Sequence, residues 1–369
     1  MTRAAAVIAA ALAAAPLAAQ TPDAGALGSS AQGGAIFETY SLGPGLAFDR
    51  ITELVIPVSV VQRFGRRLVV DVATAYAKAS VRTVDGDIDL SGVVDTDVRA
   101  AIALVPGRVI LTLVGTLPTG QATVPDTTLP LYGATATDLF GFTVPSFGGG
   151  GGVTAGLATA FRLGATWAAG VGASYRYSGT FVPVQGGGEL APGAEGRFRL
   201  GVEGPLGRRG GTYLRGALVF SHSAPDVIAD STESAIGDRV LGYVALNVPV
   251  GRGALSLYAW DMRRLRAAPA ADMQVPRGNV LAVGARLDRP LSPAVAIAPA
   301  VEVRHELSGS DSLVVLGWLV RPGMDVRLRL GSHAVLVTSA RYAFGQVRDE
   351  GVTVSVRGPR LGLAIEWLW

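Results

Sequence analysis

His222, His305 and His333 are the only imidazoles in the 369-residue chain, and it has no cysteine. Thiolate nucleophiles, disulfides and Cys-based metal sites are therefore excluded. Three scattered histidines show no metal-ligand spacing, so no metal is expected. On a strand, a histidine base shares a face with the residue two places on, where a serine nucleophile would have to stand. His222 has Ala224 there, His305 has Leu307 and His333 has Val335; the serines beside His222, Ser221 and Ser223, are on the wrong parity. The expectation is no catalytic residue, no enzyme and no cofactor. The glycine run 148–152 is followed by neither Lys-Ser/Thr nor a helical pattern, so it is not a phosphate loop.

What remains is charge. Basic residues number 32 and acidic residues 29, for a net charge of +3, and every basic residue except Lys78 is arginine. So small an excess argues against a nucleic-acid partner. With 49% hydrophobic and 17% charged residues, the chain is too apolar to be disordered. The charges recur at alternate positions. Arg176, Arg197, Arg199, Arg304, Arg327, Arg329 and Arg341 are expected on one face together with Asp95, Asp97, Glu195, Glu203 and Glu302.

That placement requires strands, and period two runs through the chain. From Val314 to Leu330 the even positions are apolar or nearly so, while Asp325, Arg327 and Arg329 are odd. Val295, Ile297, Pro299, Val301 and Val303 oppose Glu302, Arg304 and Glu306. Such runs exceed the roughly five or six residues usual for a soluble strand. Apolar faces end in Tyr76, Tyr175, Tyr177, Tyr342 and Phe344, as in an aromatic girdle at a membrane boundary. The expected fold class is all-β: a transmembrane antiparallel up-and-down β-barrel, lipid outside and paired charges inside. A soluble multi-sandwich is the competing reading.

Compact turns fall at 64–66, 106–108, 163–165, 206–208, 251–253, 290–292 and 331–332. Longer links are expected at 43–49, 83–89, 118–152, 183–190, 224–236, 266–278, 307–311 and 348–351. Seven short turns with both termini on that side give about sixteen strands, or fourteen or twelve if the first pair, near 34–42 and 50–64, or another merges. No 18-residue apolar run follows residue 19, which excludes transmembrane helices. Residues 1–19 have the layout of a secretory signal peptide, with a buried Ala-rich helix as the alternative. Residues 20–33 then form a short periplasmic segment, and 34–369 the barrel.

Leu361, Leu363, Ile365, Trp367 and Trp369 alternate to the last residue. This ending resembles the terminal strand of bacterial outer-membrane proteins, which the barrel-assembly machinery recognises; Trp367 and Trp369 would carry that signal. A strand ending in Leu117-Pro118-Thr119-Gly120 before a long loop, and Arg341-Tyr342-Ala343-Phe344-Gly345 late in the chain, resemble the outer-membrane family associated with the meta-pathway of phenol degradation. That family is similar to channels of the long-chain fatty-acid transporter type. The resemblance implies an outer-membrane location, a lipid-bilayer partner and a small hydrophobic or aromatic solute. Fatty-acid channels carry a larger N-terminal hatch than 20–33 could form.

Two functions are expected from this pattern: passive diffusion of small solutes through a charge-lined lumen, or a structural or surface-interaction barrel without transport. The loop 118–152 carries Leu129, Leu131, Tyr132, Phe140, Phe142 and Phe147 among prolines. So apolar a segment is expected to fold over or into the outer mouth as a greasy vestibule for solute, hinged at 148–152.

Overall fold

The computed structural model describes residues 28–207, 211–229, 232–267, 273–309, 312–349 and 351–369. The expected signal peptide lies outside them. Sixteen antiparallel strands close into a barrel. They are β1 (Ser30–Leu42), β2 (Phe48–Phe64), β3 (Leu68–Thr83), β4 in two halves (Gly86–Val93 and Thr96–Val105), β5 (Val109–Leu117), β6 (Gly152–Leu163), β7 (Trp167–Ser178) and β8 (Glu195–Pro205). The second half comprises β9 (Tyr213–Ser223), β10 (Arg239–Val250), β11 (Gly253–Arg264), β12 (Arg277–Pro290), β13 (Val295–Gly309), β14 (Val314–Arg329), β15 (Ala334–Asp349) and β16 (Val352–Leu368). The first pair does not merge. β1 begins at Ser30, inside the segment expected to precede the barrel.

Ring closure joins the two ends of the chain. β1 pairs with β16 from Ser30 opposite Leu368 to Leu42 opposite Val356. Ser29 and Trp369 extend the seam with two reciprocal backbone bonds of 3.2 and 3.1 Å. Full closure leaves no unpaired sheet edge, a condition for strands that cross lipid.

Period two decides the facing. Val58 and Val60 of β2, Leu157 and Phe161 of β6, Val301 and Val303 of β13, and Leu361, Leu363 and Ile365 of β16 stand exposed on the outer surface. Tyr175, Tyr177, Tyr342 and Phe344 mark this surface toward the long-loop end, Phe64, Trp367 and Trp369 toward the short-turn end. A greasy exterior between aromatic rims suits an outer membrane. The protein is an outer-membrane β-barrel.

Six of the seven short turns lie at one end, where expected, and the seventh, 206–208, falls partly outside the described residues. At the other end the expected link 83–89 shrinks to a tight connection because β3 and β4 continue as a paired ribbon to Thr83 opposite Gly86, and β15 and β16 stay paired to Asp349 opposite Val352, within the expected link 348–351. The loops after β7, β9 and β11 contribute Leu190–Ala191, Asp226–Ile228, Thr232–Ala235 and Met273–Gln274 to a separate four-stranded sheet at the mouth. The connection between β5 and β6 holds a single turn at Asp126–Thr128 and one helix, α1 (Leu129–Thr135).

Candidate functional site

The loop between β5 and β6 folds into the barrel. Its stem is clasped by Asp95, whose carboxylate accepts the N–H of Gly120 at 2.9 Å and of Gly149 at 2.7 Å. A bulge produces this clasp. Tyr76 pairs with Val93 but Ala73 with Asp97, so β4 carries one residue more than β3 between those pairs. The extra residue breaks the alternation that would have put Asp95 on the lumen face beside Asp97. Asp95 is thus a loop staple rather than the expected lumen charge. A Cβ on Gly120 would run into the Phe147 carbonyl and the Asp95 backbone, which explains the glycine that ends Leu-Pro-Thr-Gly.

Beyond the stem, the loop docks on the inner faces of β1–β3 and β13–β16. Tyr40 of β1 sits 4.8 Å from the Phe140 ring and 5.4 Å from Phe142, the latter edge-on. Leu131, Leu139 and Val144 join them against Ile51, Val55, Ala77, Leu319 and Val356. Fully burying one such side chain contributes about 1.5–3 kcal/mol, so the cluster favours docking strongly.

Polar pins fix the register of the docked loop. Glu53 of β2 accepts the N–H groups of Thr143 at 2.9 Å and Val144 at 3.1 Å. Glu38 of β1 accepts the Tyr40 hydroxyl at 3.2 Å and an Arg360 N–H of β16 at 3.4 Å. Arg360 also donates to the Thr143 hydroxyl at 3.2 Å. On the other flank, Glu306 accepts the Leu139 N–H at 3.0 Å, and Arg304 donates to the Asp138 carbonyl at 3.2 Å. Arg321 donates to the carbonyls of Leu139 and Phe140. Buried polar groups of a loop need such partners, and here the barrel wall supplies them.

The six residues expected to line a vestibule divide. Leu131, Phe140, Phe142 and Phe147 are buried between loop and wall, because packing on Tyr40 and its neighbours removes more apolar surface from water than facing the lumen would. Leu129 is 49% exposed and Tyr132 half-buried, so only these two face the free space. Burial pushes the Tyr132 phenol up, against the backbone N–H of Phe147, and keeps it protonated.

Apart from Asp95, the expected lumen charges share the inward strand parity. Arg197 meets Glu195 at 2.6 Å, and Glu203 meets Arg215 at 3.2 Å. Glu302 gathers Arg304 at 2.8 Å, Arg321 at 3.7 Å and the Tyr258 hydroxyl at 2.9 Å. Arg341 lies 3.5 Å from Asp325, which also takes Arg286. Asp97 accepts the Thr116 hydroxyl at 2.7 Å. Arg176, Arg327 and Arg329 are exposed on the same face without a carboxylate at ion-pair distance among the described residues.

Glu38, Glu53, Arg321 and Arg360, which the sequence reading did not count among the lumen charges, anchor the loop together with Glu306, which it placed on the charged face of its strand. For Glu38 and Glu53 a signal existed: acids on the inward parity of strands whose other inward residues are Ile36, Tyr40, Ile51 and Val55. The histidines lie apart. His222 bonds Asp238 at 2.7 Å, and His333 bonds the Leu368 carbonyl at 3.1 Å. Among the described residues no group of three or more His, Asp or Glu is placed to hold a metal.

No family model matches the chain, and no curated protein matches it. The barrel is similar to solved outer-membrane structures. OccK11 (OpdR) of Pseudomonas aeruginosa is 13% identical, with 93% of this chain and 96% of that one aligned and a TM-score of 0.45. The outer membrane channel DcaP of Acinetobacter baumannii is 11% identical over 93% and 98%, at 0.43. A bacterial polysaccharide outer membrane secretin is 8% identical over 92% and 98%, at 0.49.

Proposed function

We propose that the protein is a passive outer-membrane channel for small hydrophobic or aromatic solutes, and not an enzyme. One observation carries this reading: a loop held inside the barrel by polar pins on the wall, with arginines and aromatic side chains on the wall beside it. A barrel serving only as scaffold has no need of an internal constriction pinned by seven charged residues. Tyr243, Tyr258 and Trp260 on β10 and β11 share the inward parity, and the Arg304 guanidinium lies 5.5 Å from the Trp260 ring centre. In this reading the solute path passes that aromatic shelf. Opposed charges along it order water and select solutes by size and dipole. The two motifs shared with the phenol-degradation family agree with an aromatic solute.

The test is deletion of 124–147, bridged by a short Gly-Ser linker, with single-channel recording on the refolded barrel. A constriction loop predicts larger conductance and weaker discrimination among hydrophobic solutes. A folded barrel that conducts neither before nor after deletion overturns the channel reading in favour of a structural or surface-interaction barrel.

A further inference from the structure

Charge pairing is uneven around the lumen. On the β13–β15 side, Arg304, Arg321 and Arg341 each reach a carboxylate, while Arg327 and Arg329, at the short-turn end of β14, do not among the described residues. On the β7–β10 side, four guanidinium groups surround one. Arg176 is the direct cross-strand neighbour of Glu195, and Arg197 follows it on the same face. Arg239 of β10 also lies close enough to act on Glu195, and Arg199 has Arg197, Glu195 and Arg99 as its charged neighbours. Glu195 is committed to Arg197 at 2.6 Å. Among the described residues, Arg176, Arg199 and Arg239 have no carboxylate at ion-pair distance; Asp138 of the inserted loop lies close enough to act on Arg239, but nothing comparable reaches Arg199 beyond the committed Glu195.

A guanidinium keeps its proton at any working pH, so these charges cannot be relieved by titration. Arg199 is partly screened from solvent and has two like-charged neighbours. The wall between Arg199 and Arg99 carries small inward residues: Gly172 and Ala158 in the cross-strand row of Arg199, and Ser174, Gly156 and Thr112 in the next row, that of Arg197. Tyr243 lies on the same strand face as Arg239, and its cross-strand neighbour is Trp260. Space, unmet positive charge and an aromatic surface therefore adjoin one another.

We infer that this wall is a binding site for organic carboxylates with an aromatic body. The carboxylate bonds the guanidinium groups of Arg199, Arg176 and Arg239, which can engage both its oxygens at once. The ring lies toward Tyr243 and Trp260. The inference rests on the channel reading and adds the charge of the solute to it: the path selects aromatic acids over their neutral counterparts.

The experiment uses the full refolded protein in planar bilayers. A KCl gradient gives the ion selectivity, and sodium benzoate is compared with benzamide, its neutral isostere, as a blocker of the chloride current. An anion-selective reversal potential and block by benzoate but not benzamide are expected. Arg199→Gln should weaken the benzoate block at least about tenfold, the scale of a charge-assisted hydrogen bond, and shift the reversal potential toward K⁺. Arg199→Lys should restore the potential but not the full block. Heat-modifiable migration on gels confirms that each variant is folded. A cation-selective channel, equal block by benzamide, or an Arg199→Gln barrel with unchanged benzoate block overturns the inference and leaves the channel reading standing. If the barrel does not conduct, the channel reading falls. Calorimetric titration of benzoate against benzamide in detergent then decides the site, and absence of a preference for benzoate overturns it.

Discussion

Glu38 and Glu53 face one another across the β1–β2 ladder, both fully screened from solvent, and Thr143 of the inserted loop bonds to each of them. Two acids placed side by side in a buried setting are costly unless their oxygens are satisfied. Here the loop backbone satisfies Glu53, while Arg360 and Tyr40 satisfy Glu38. The pair needs the loop as much as the loop needs the pair, which couples docking to the inner wall.

Glu53→Ala removes the acceptor for two loop N–H groups. Docking of the loop should weaken by about 1–3 kcal/mol, the usual cost of leaving buried polar groups without a partner. Hydrogen exchange at the Thr143 and Val144 amides reports this directly, and protease cleavage within 118–151 should accelerate. Unchanged protection of those two amides would show that the apolar cluster alone holds the loop.

Asp95→Ala opens the stem rather than the body of the loop. Gly120 and Gly149 both lose their acceptor, while the Tyr40–Phe140–Phe142 cluster stays intact. The expected result is faster exchange at Gly120 and Gly149 with little change at Thr143. Equal loosening at all three positions would mean that stem and body move as one unit.

On the lipid face, position along the strand sets the cost of a charge. Val301 lies mid-way along Val295–Gly309, whereas Leu328 is next to the end of Val314–Arg329. Val301→Arg should destabilise by about 2–4 kcal/mol and Leu328→Arg by about 0–1 kcal/mol in a bilayer unfolding titration. The reverse order would mean that the apolar belt is centred elsewhere.

Replacing Trp367 and Trp369 with Ala should lower the amount of protein reaching the outer membrane and leave chain in the periplasm. Fractionation followed by immunoblotting measures it. Trp367 pairs with Ala31 and Ala334, and the Trp369 backbone is bonded to Ser29. The same variant should therefore also fray the closing seam, seen as a lower unfolding temperature of the fraction that does insert.

The wall of this protein was readable along the chain. Strand alternation is local, so the outward Val301 and Val303, the inward Glu302 and Arg304, six of the tight turns and the sixteen-strand count all follow from neighbouring residues. The loop was legible only as too apolar for water. Where its apolar residues would go depended on which wall could receive them, and that wall is assembled from both ends of the chain. Glu38 and Arg360 meet across 322 positions of sequence, because closure sets β1 against β16. Asp95 looked equivalent to Asp97 by parity, until one extra residue in β4 turned it to the loop stem. Period two specifies a face but not a partner; partners come from ring closure, bulges and packing, which join residues that no local spacing relates.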